Sequence, residues 1–246
     1  MFDLYCTQGP ESTKKFKILQ DKYQFFNVQE TGWSKLDPLF YAEPDASNRS
    51  ADNLIAKKTI FFASTFSPSF SKAEVLFPLV TEMMKDKDID WYITLHPKMN
   101  AQMVERYRQL ASTNVKFIEP TEFAEYFKKS DMMLCDTSSI IYEFLTLLKP
   151  VVTFQTEKDE DCLINVENIN RLEETIHKVL QNPQINQRNI VESVSIFHPY
   201  RDGKSSVRVI EAVDDMLAGK NIPKRSKPRN LLRNLKLRRK LRYWKW

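Results

Sequence analysis

The sequence predicts an α/β fold: a Rossmann-like parallel sheet with helices on both faces, preceded by a small β-α-β fragment and followed by a basic tail. Three observations predict it. Short apolar runs alternate with segments of helical periodicity between residues 58 and 155, the pattern of repeated β-α-β units. A length of 246 residues allows one large domain with appendages, and 12% aromatic residues argue for a real core. Charge is segregated along the chain. Of 37 Lys and Arg, twelve lie in residues 220–246, which hold no Asp or Glu, so the other 25 face 32 acidic residues. A mildly acidic body carries a strongly basic tail.

The elements follow in order. "FDLYC" reads as a strand, "ESTKKFKILQ" as a helix and "YQFFNVQ" as a second strand, so residues 1–41 are expected to be the end of an N-terminal domain. Residues 42–57 are polar and turn-rich, a linker. The main domain is expected over 58–219. Its strands are read at 58–64, 90–96, 115–119, 131–136 and 150–155. Its helices are read at 72–86, 100–112, 121–130 and 138–148, with Pro78 interrupting the first and Thr121 opening the third. The later chain is mainly helical, with helices at 170–182 and 205–219, and residues 220–246 form the tail.

Composition excludes several classes. The three cysteines, Cys6, Cys135 and Cys162, are too few and odd in number for a disulfide framework and favour a reducing compartment. No stretch approaches the ~18 apolar residues of a spanning helix. The opening "MFDLYC" lacks the basic start and apolar core of a signal peptide. No His/Cys/Asp cluster has metal-ligand spacing, so neither a metal nor another cofactor is expected.

Asp136, Thr137, Ser138 and Ser139 stand where a strand ends and a helix begins. Open parallel sheets bind ligands outside the carboxyl ends of their strands. A helix start offers unpaired amides and a positive dipole end, which suit phosphate oxygens. A plain helix cap needs one such residue, and here four stand in a row. Glu143 follows Ser139 by four residues, on the same helical face. Two other strand ends face this rim: His96-Pro97, and the hydroxyl-rich "STFSPSFS" at 64–71. Farther on, "HPYRDGKSSVRV" places Lys204, Ser205 and Ser206 at another helix start, after a glycine that permits close approach.

Together these segments resemble the C-terminal half of the CDP-glycerol glycerophosphotransferases, the teichoic-acid polymerase and primase family. "CDTSSIIYEFLTLLKPVVTF" is similar to that family's "TDYSS", helix and "KKP" sequence, "DGKSSVRV" to its "DGKAS-R", and "ETGWSKLDPLF" to its "GYPRND-L". The resemblance runs from about residue 25 to about residue 218. It implies the donor-binding half of a GT-B architecture and the transfer of glycerol phosphate from CDP-glycerol to a hydroxyl of a lipid-linked or polymeric acceptor. It also implies roles. Ser138 and Ser139 would hold the donor phosphates, Asp136 would shape their loop, and Thr137 would be among the donor-binding residues. His96 would contact the phosphates or neutralise transition-state charge. Lys204, Ser205 and Ser206 would complete the phosphate side, and Glu143 would reach ribose or glycerol hydroxyls. Departures are visible. Thr137 replaces a tyrosine, Cys135 a threonine, and Ser67 an arginine of the family. The family's proposed base, a histidine in an "HG" phrase of the N-terminal domain, has no counterpart among His96, His177 and His198. A partner chain supplying the N-terminal domain is one way to complete such an enzyme.

The tail interleaves Leu231, Leu232, Leu235, Leu237 and Leu241 with arginines and lysines and ends in Tyr243, Trp244 and Trp246. That composition suits an interfacial helix on an anionic membrane, and it also suits RNA binding. The expected location is cytoplasmic, peripheral on the inner face of the cell membrane. Two other functions stay open from sequence. One is a GT-B glycosyltransferase using a nucleotide sugar in capsule or lipopolysaccharide synthesis. The other is a non-catalytic donor-binding or membrane-tethering remnant.

Overall fold

Seven residues after the expected linker are buried from the second to the last and alternate between two apolar layers, which makes them the centre of a sheet. This is β3 (Lys58–Ser64) in the computed structural model, which describes residues 2–41, 57–119, 121–158 and 160–244. The linker expected at 42–57 lies outside the described residues except for Lys57. Before β3 come β1 (Leu4–Thr7), α1 (Pro10–Tyr23), β2 (Asn27–Glu30), a 3-10 turn (Ser34–Leu36) and α2 (Asp37–Phe40). After it run α3 (Ala73–Met83), β4 (Ile89–Leu95), α4 (Ala101–Arg108), β5 (Val115–Phe117), α5 (Phe123–Lys129), β6 (Met132–Cys135), α6 (Ile140–Leu145) and β7 (Val151–Phe154). The chain then forms β8 (Ile164–Val166), α7 (Leu172–Gln181), α8 (Gln187–Phe197), α9 (Ser205–Leu217) and α10 (Leu231–Leu241).

The main sheet has the order β5-β4-β3-β6-β7-β8, and every neighbouring pair is parallel. Ile60 and Phe62 of β3 enter one apolar layer, with Leu76 and Val80 of α3, Tyr107 of α4 and Ile176 of α7. Phe61 and Ala63 enter the other, with Phe127 of α5, Phe144 of α6 and Ile190 of α8. The alternation follows the two-residue period of a strand. It puts helices on both faces, as the sequence predicts, and explains why β6 and β7 are buried at every position. Buried residues on α3 and α7 recur at three- and four-residue intervals, the apolar stripe of a core-facing helix. Pro78 is tolerated inside α3 because it lies on that helix's exposed face. Strand β8 and helix α8 were not expected individually.

The chain lays down β3, β4 and β5 in one direction, then returns to place β6 on the other side of β3. The carboxyl ends of β3 and β6 therefore flank the topological switch point, where open α/β sheets form a crevice.

The N-terminal unit packs on this domain. Strands β1 and β2 pair in parallel, and α1 lies against α8. Leu36 and Leu39 enter the same layer as Phe61. Beside them, two distant sequence phrases meet. Asp37 is 2% exposed, and its carboxylate accepts the amides of Ser205 (2.9 Å) and Ser206 (2.7 Å) at the start of α9. Gly32 has φ +88°, and a Cβ there would lie 2.4 Å from the Ser205 hydroxyl. Gly203 has φ +68° and packs on Tyr41 and the Asp37 carbonyl. Both positions need glycine for backbone shape and for close approach. Burial alone would raise the Asp37 carboxyl, but hydrogen bonds from the Ser206 and Ser205 side chains and amides outweigh it and hold it below the usual carboxylate range.

Asp37→Ala removes a charged acceptor from two helix-start amides. It is expected to cost about 2–3 kcal/mol in urea unfolding at neutral pH. Because the folded carboxyl titrates below its unfolded value of about 3.9, the stabilisation is full above that pH and is lost on acidification through the folded value. The gap between wild type and Asp37→Ala is therefore expected to close below about pH 4.

Candidate functional site

The switch point is organised by one buried acid. Asp136 follows β6 directly and is fully buried. Its carboxylate accepts the Ser64 hydroxyl at the end of β3, the Thr65 amide (2.9 Å) and the Lys72 amide (3.0 Å). It thereby ties both ends of the β3–α3 loop to β6. Burial pushes the Asp136 carboxyl upward, and the donors from Ser64, Lys72 and Thr65 pull against it. The adjacent Thr137 hydroxyl bonds Thr156 beyond β7 (3.1 Å), fixing the other side of the loop.

Beside this loop lies a cleft of about 210 Å³, lined by Ser64, Thr94, His96, Ser138, Ser139 and Glu143, with Lys35, Pro97 and Phe123 at its other walls. The backbone carbonyls of Ser138 and Ser139 accept the amides of Ile141 (3.4 Å) and Tyr142 (3.2 Å), and no side chain caps the start of α6. His96 follows β4. Its Nδ1 accepts the Lys98 amide (3.1 Å), so the proton of the neutral ring sits on Nε2. Burial and the nearby Lys98 ammonium lower its pKa, which keeps the imidazole neutral near pH 7. Its ring packs on Phe66 at 4.3 Å between centroids.

Glu143 is 5% exposed. Its Oε1 accepts the Lys35 ammonium at 2.7 Å, while its buried Oε2 has no partner. Burial raises this carboxyl, and the Lys35 hydrogen bond and charge pull it back. The buried Thr94 hydroxyl, also on the cleft wall, is likewise without a partner. Buried polar groups are rarely left unpaired, so two on one wall are a feature to be explained.

The cleft therefore gathers His96, Ser138, Ser139 and Glu143, with Asp136 and Thr137 supporting their loop. It does not gather Lys204, Ser205 and Ser206. Ser205 is buried, the amides of Ser205 and Ser206 are taken by Asp37, and exposed Lys204 opens α9 outside the cleft lining. Lys35, Thr94 and Phe123 were not anticipated as cleft residues. Lys35 lies inside the "GWSKLD" phrase, where the sequence carries only the family resemblance. His177 is half-exposed, four residues after Glu173 on α7. His198 is buried between Phe40 and Tyr200. Among the described residues, no three His, Cys, Asp or Glu are grouped as metal ligands.

The sequence model of the UDP-N-acetylglucosamine 2-epimerase family matches residues 3–214. The chain belongs to that family. No curated protein matches it in sequence. Among solved structures it is similar to S. aureus MnaA in complex with UDP, with a TM-score of 0.60 and 19% identity over 88% of this chain and 61% of that one. It is similar to the wall teichoic acid polymerase TagF, with a TM-score of 0.59 and 19% identity over 89% and 59%. It is also similar to a UDP-GlcNAc 2-epimerase from Neisseria meningitidis bound to UDP-GlcNAc, with a TM-score of 0.55 and 19% identity over 85% and 60%. At these identities the likeness is one of fold. The chain spans about three fifths of the length of these structures. The family assignment is thus to the epimerases, and the glycerophosphotransferase resemblance has its counterpart in TagF as a fold neighbour.

His96 is expected to titrate below about 6.5 and to carry its neutral-state proton on Nε2. ¹⁵N NMR of labelled histidine checks both, and an Nδ1–H tautomer would contradict the assigned contact with Lys98.

Proposed function

We propose that this cleft seats a nucleoside-diphosphate-linked donor and that the chain handles that donor in building a cell-envelope polymer. The observation that carries the reading is the pair of unpartnered buried polar atoms, Glu143 Oε2 and Thr94 Oγ1, at a switch-point cleft edged by His96 and the start of α6. Amides and hydroxyls of Ser138 and Ser139 suit phosphate oxygens. The Nε2–H of neutral His96 adds a donor without a fixed charge. Glu143 Oε2 accepts from a ribose hydroxyl, and Lys35 holds its other oxygen still. Phe123 and Pro97 offer an apolar wall for a base.

Two donors follow from different observations. The "DTSS…KP" segment and His96-Pro97 favour CDP-glycerol, with glycerol phosphate passing to a lipid-linked or polymeric hydroxyl. The family match over residues 3–214 favours UDP-N-acetylglucosamine. On either reading the phosphates stay on the same loop, since phosphate recognition does not read the base. A lipid-linked acceptor would place the chain at a membrane surface. On this reading a partner chain would supply the general base and the acceptor side of the cleft.

Calorimetric titration with CDP, UDP, CDP-glycerol and UDP-N-acetylglucosamine tests the seat and ranks the donors. Replacing Ser138 and Ser139 together by alanine is expected to weaken diphosphate binding about tenfold, the loss of one or two hydrogen bonds. Glu143→Gln is expected to weaken ribonucleotides while sparing inorganic pyrophosphate. Unchanged affinities in both folded variants would remove the cleft as a donor site.

A further inference from the structure

The tail folds into a helix that the body leaves uncovered. Helix α10 contains no buried residue. Leu231, Leu232 and Leu235 are 71%, 79% and 57% exposed, Leu237 and Leu241 are 44% and 70% exposed, and Tyr243 and Trp244 follow at 57% and 53%. By the 100° step of the helix, Leu231, Leu232 and Leu235 lie on one side of α10, and Leu237 and Leu241 lie about 120° round from Leu231 and Leu235, with Arg238 and Arg239 set among the leucines. Arg233, Lys236 and Lys240 project from the opposite arc, by the 100° step of the helix. An isolated helix of eleven residues is marginal in water, and this one presents leucines over much of its circumference.

The charge of the tail selects what covers them. Residues 220–246 hold twelve Lys or Arg and no acid, whereas the rest of the chain is net acidic. Lys220 pairs with Asp215 (2.8 Å) and Lys227 with Asp3 (2.5 Å), so the segment leading to α10 is fastened to the body. The Arg225 amide also bonds the Gln24 carbonyl at 2.8 Å. Asp3 and Gln24 border β1 and α1 and Asp215 lies on α9, and none of the three lines the cleft. At about 1.5 Å per residue α10 is roughly 16 Å long, about half a bilayer's hydrocarbon thickness. No helix among the described residues is long and apolar enough to cross a membrane. A short helix of exposed leucines interleaved with cations and followed by Tyr243 and Trp244 suits an interface.

We infer that α10 docks the protein flat on an anionic lipid surface, its leucines in the acyl boundary and its lysines and arginines among the headgroups. The inference stands on α10 and its charge, and the donor reading neither supports nor needs it. The full chain tests it, in flotation with phosphatidylcholine vesicles alone or mixed with phosphatidylglycerol. Expected is binding to the mixed vesicles only, weakened by salt. Leu231→Glu with Leu235→Glu is expected to reduce binding at least about tenfold. Lys236→Gln with Lys240→Gln is expected to reduce it less and to flatten the salt dependence. These residues are exposed, so circular dichroism and nucleotide titration are expected to stay unchanged. Wild-type protein that stays unbound on anionic vesicles overturns the proposal. So does a leucine variant that floats as well as wild type, or wild type that binds poly(U) RNA and is stripped from the vesicles by it.

Discussion

The carboxylate of Asp136 is the constraint on which the rest of the cleft depends. It stands at the carboxyl end of β6, fully buried, and holds the Ser64 hydroxyl and the amides of Thr65 and Lys72. A buried acid is costly by itself, and its burial shows in the raised pKa. Three donors offset that cost only if the β3–α3 loop adopts one geometry. The acid thus turns a loop rich in hydroxyls into a fixed wall. On the cleft lining beside that wall, Glu143 Oε2 and Thr94 Oγ1 are buried without partners.

The segment around Lys35 and Asp37 joins α6 to α9. Lys35 and Asp37 are two residues apart. Lys35 crosses to Glu143 on α6, whereas Asp37 receives the start of α9. The same short stretch orients a cleft acid and anchors the last helix of the body. Lys35 also lies near the faces of Phe123 (5.1 Å) and Trp33 (5.8 Å), so its ammonium is held by rings as well as by charge.

Most of the fold was legible because β-α alternation repeats and strand ends in a parallel sheet share one edge. That edge rule brought His96, Ser138 and Glu143 together from sequence alone. Strand β8 was missed because three residues carry no readable period. Helix α8 was missed because its apolar residues do not mark one face: Ile190 and Val194 are buried, whereas Val191 and Ile196 are exposed. Lys35 and Thr94 reach the cleft through tertiary packing, which no local pattern encodes. Lys204, Ser205 and Ser206 were read as a phosphate seat because a helix start looks the same whether its amides await a ligand or a carboxylate. Here the carboxylate lies 168 residues away in sequence.

That separation bears on how the chain is assembled. The ribosome releases Asp37 long before the amides of Ser205 and Ser206 exist, so through most of synthesis the acid must remain hydrated and its surroundings open. Leu36 and Leu39 share their apolar layer with Phe144 of α6 and Ile190 of α8, which are also made after them, so closure of the body comes late in synthesis.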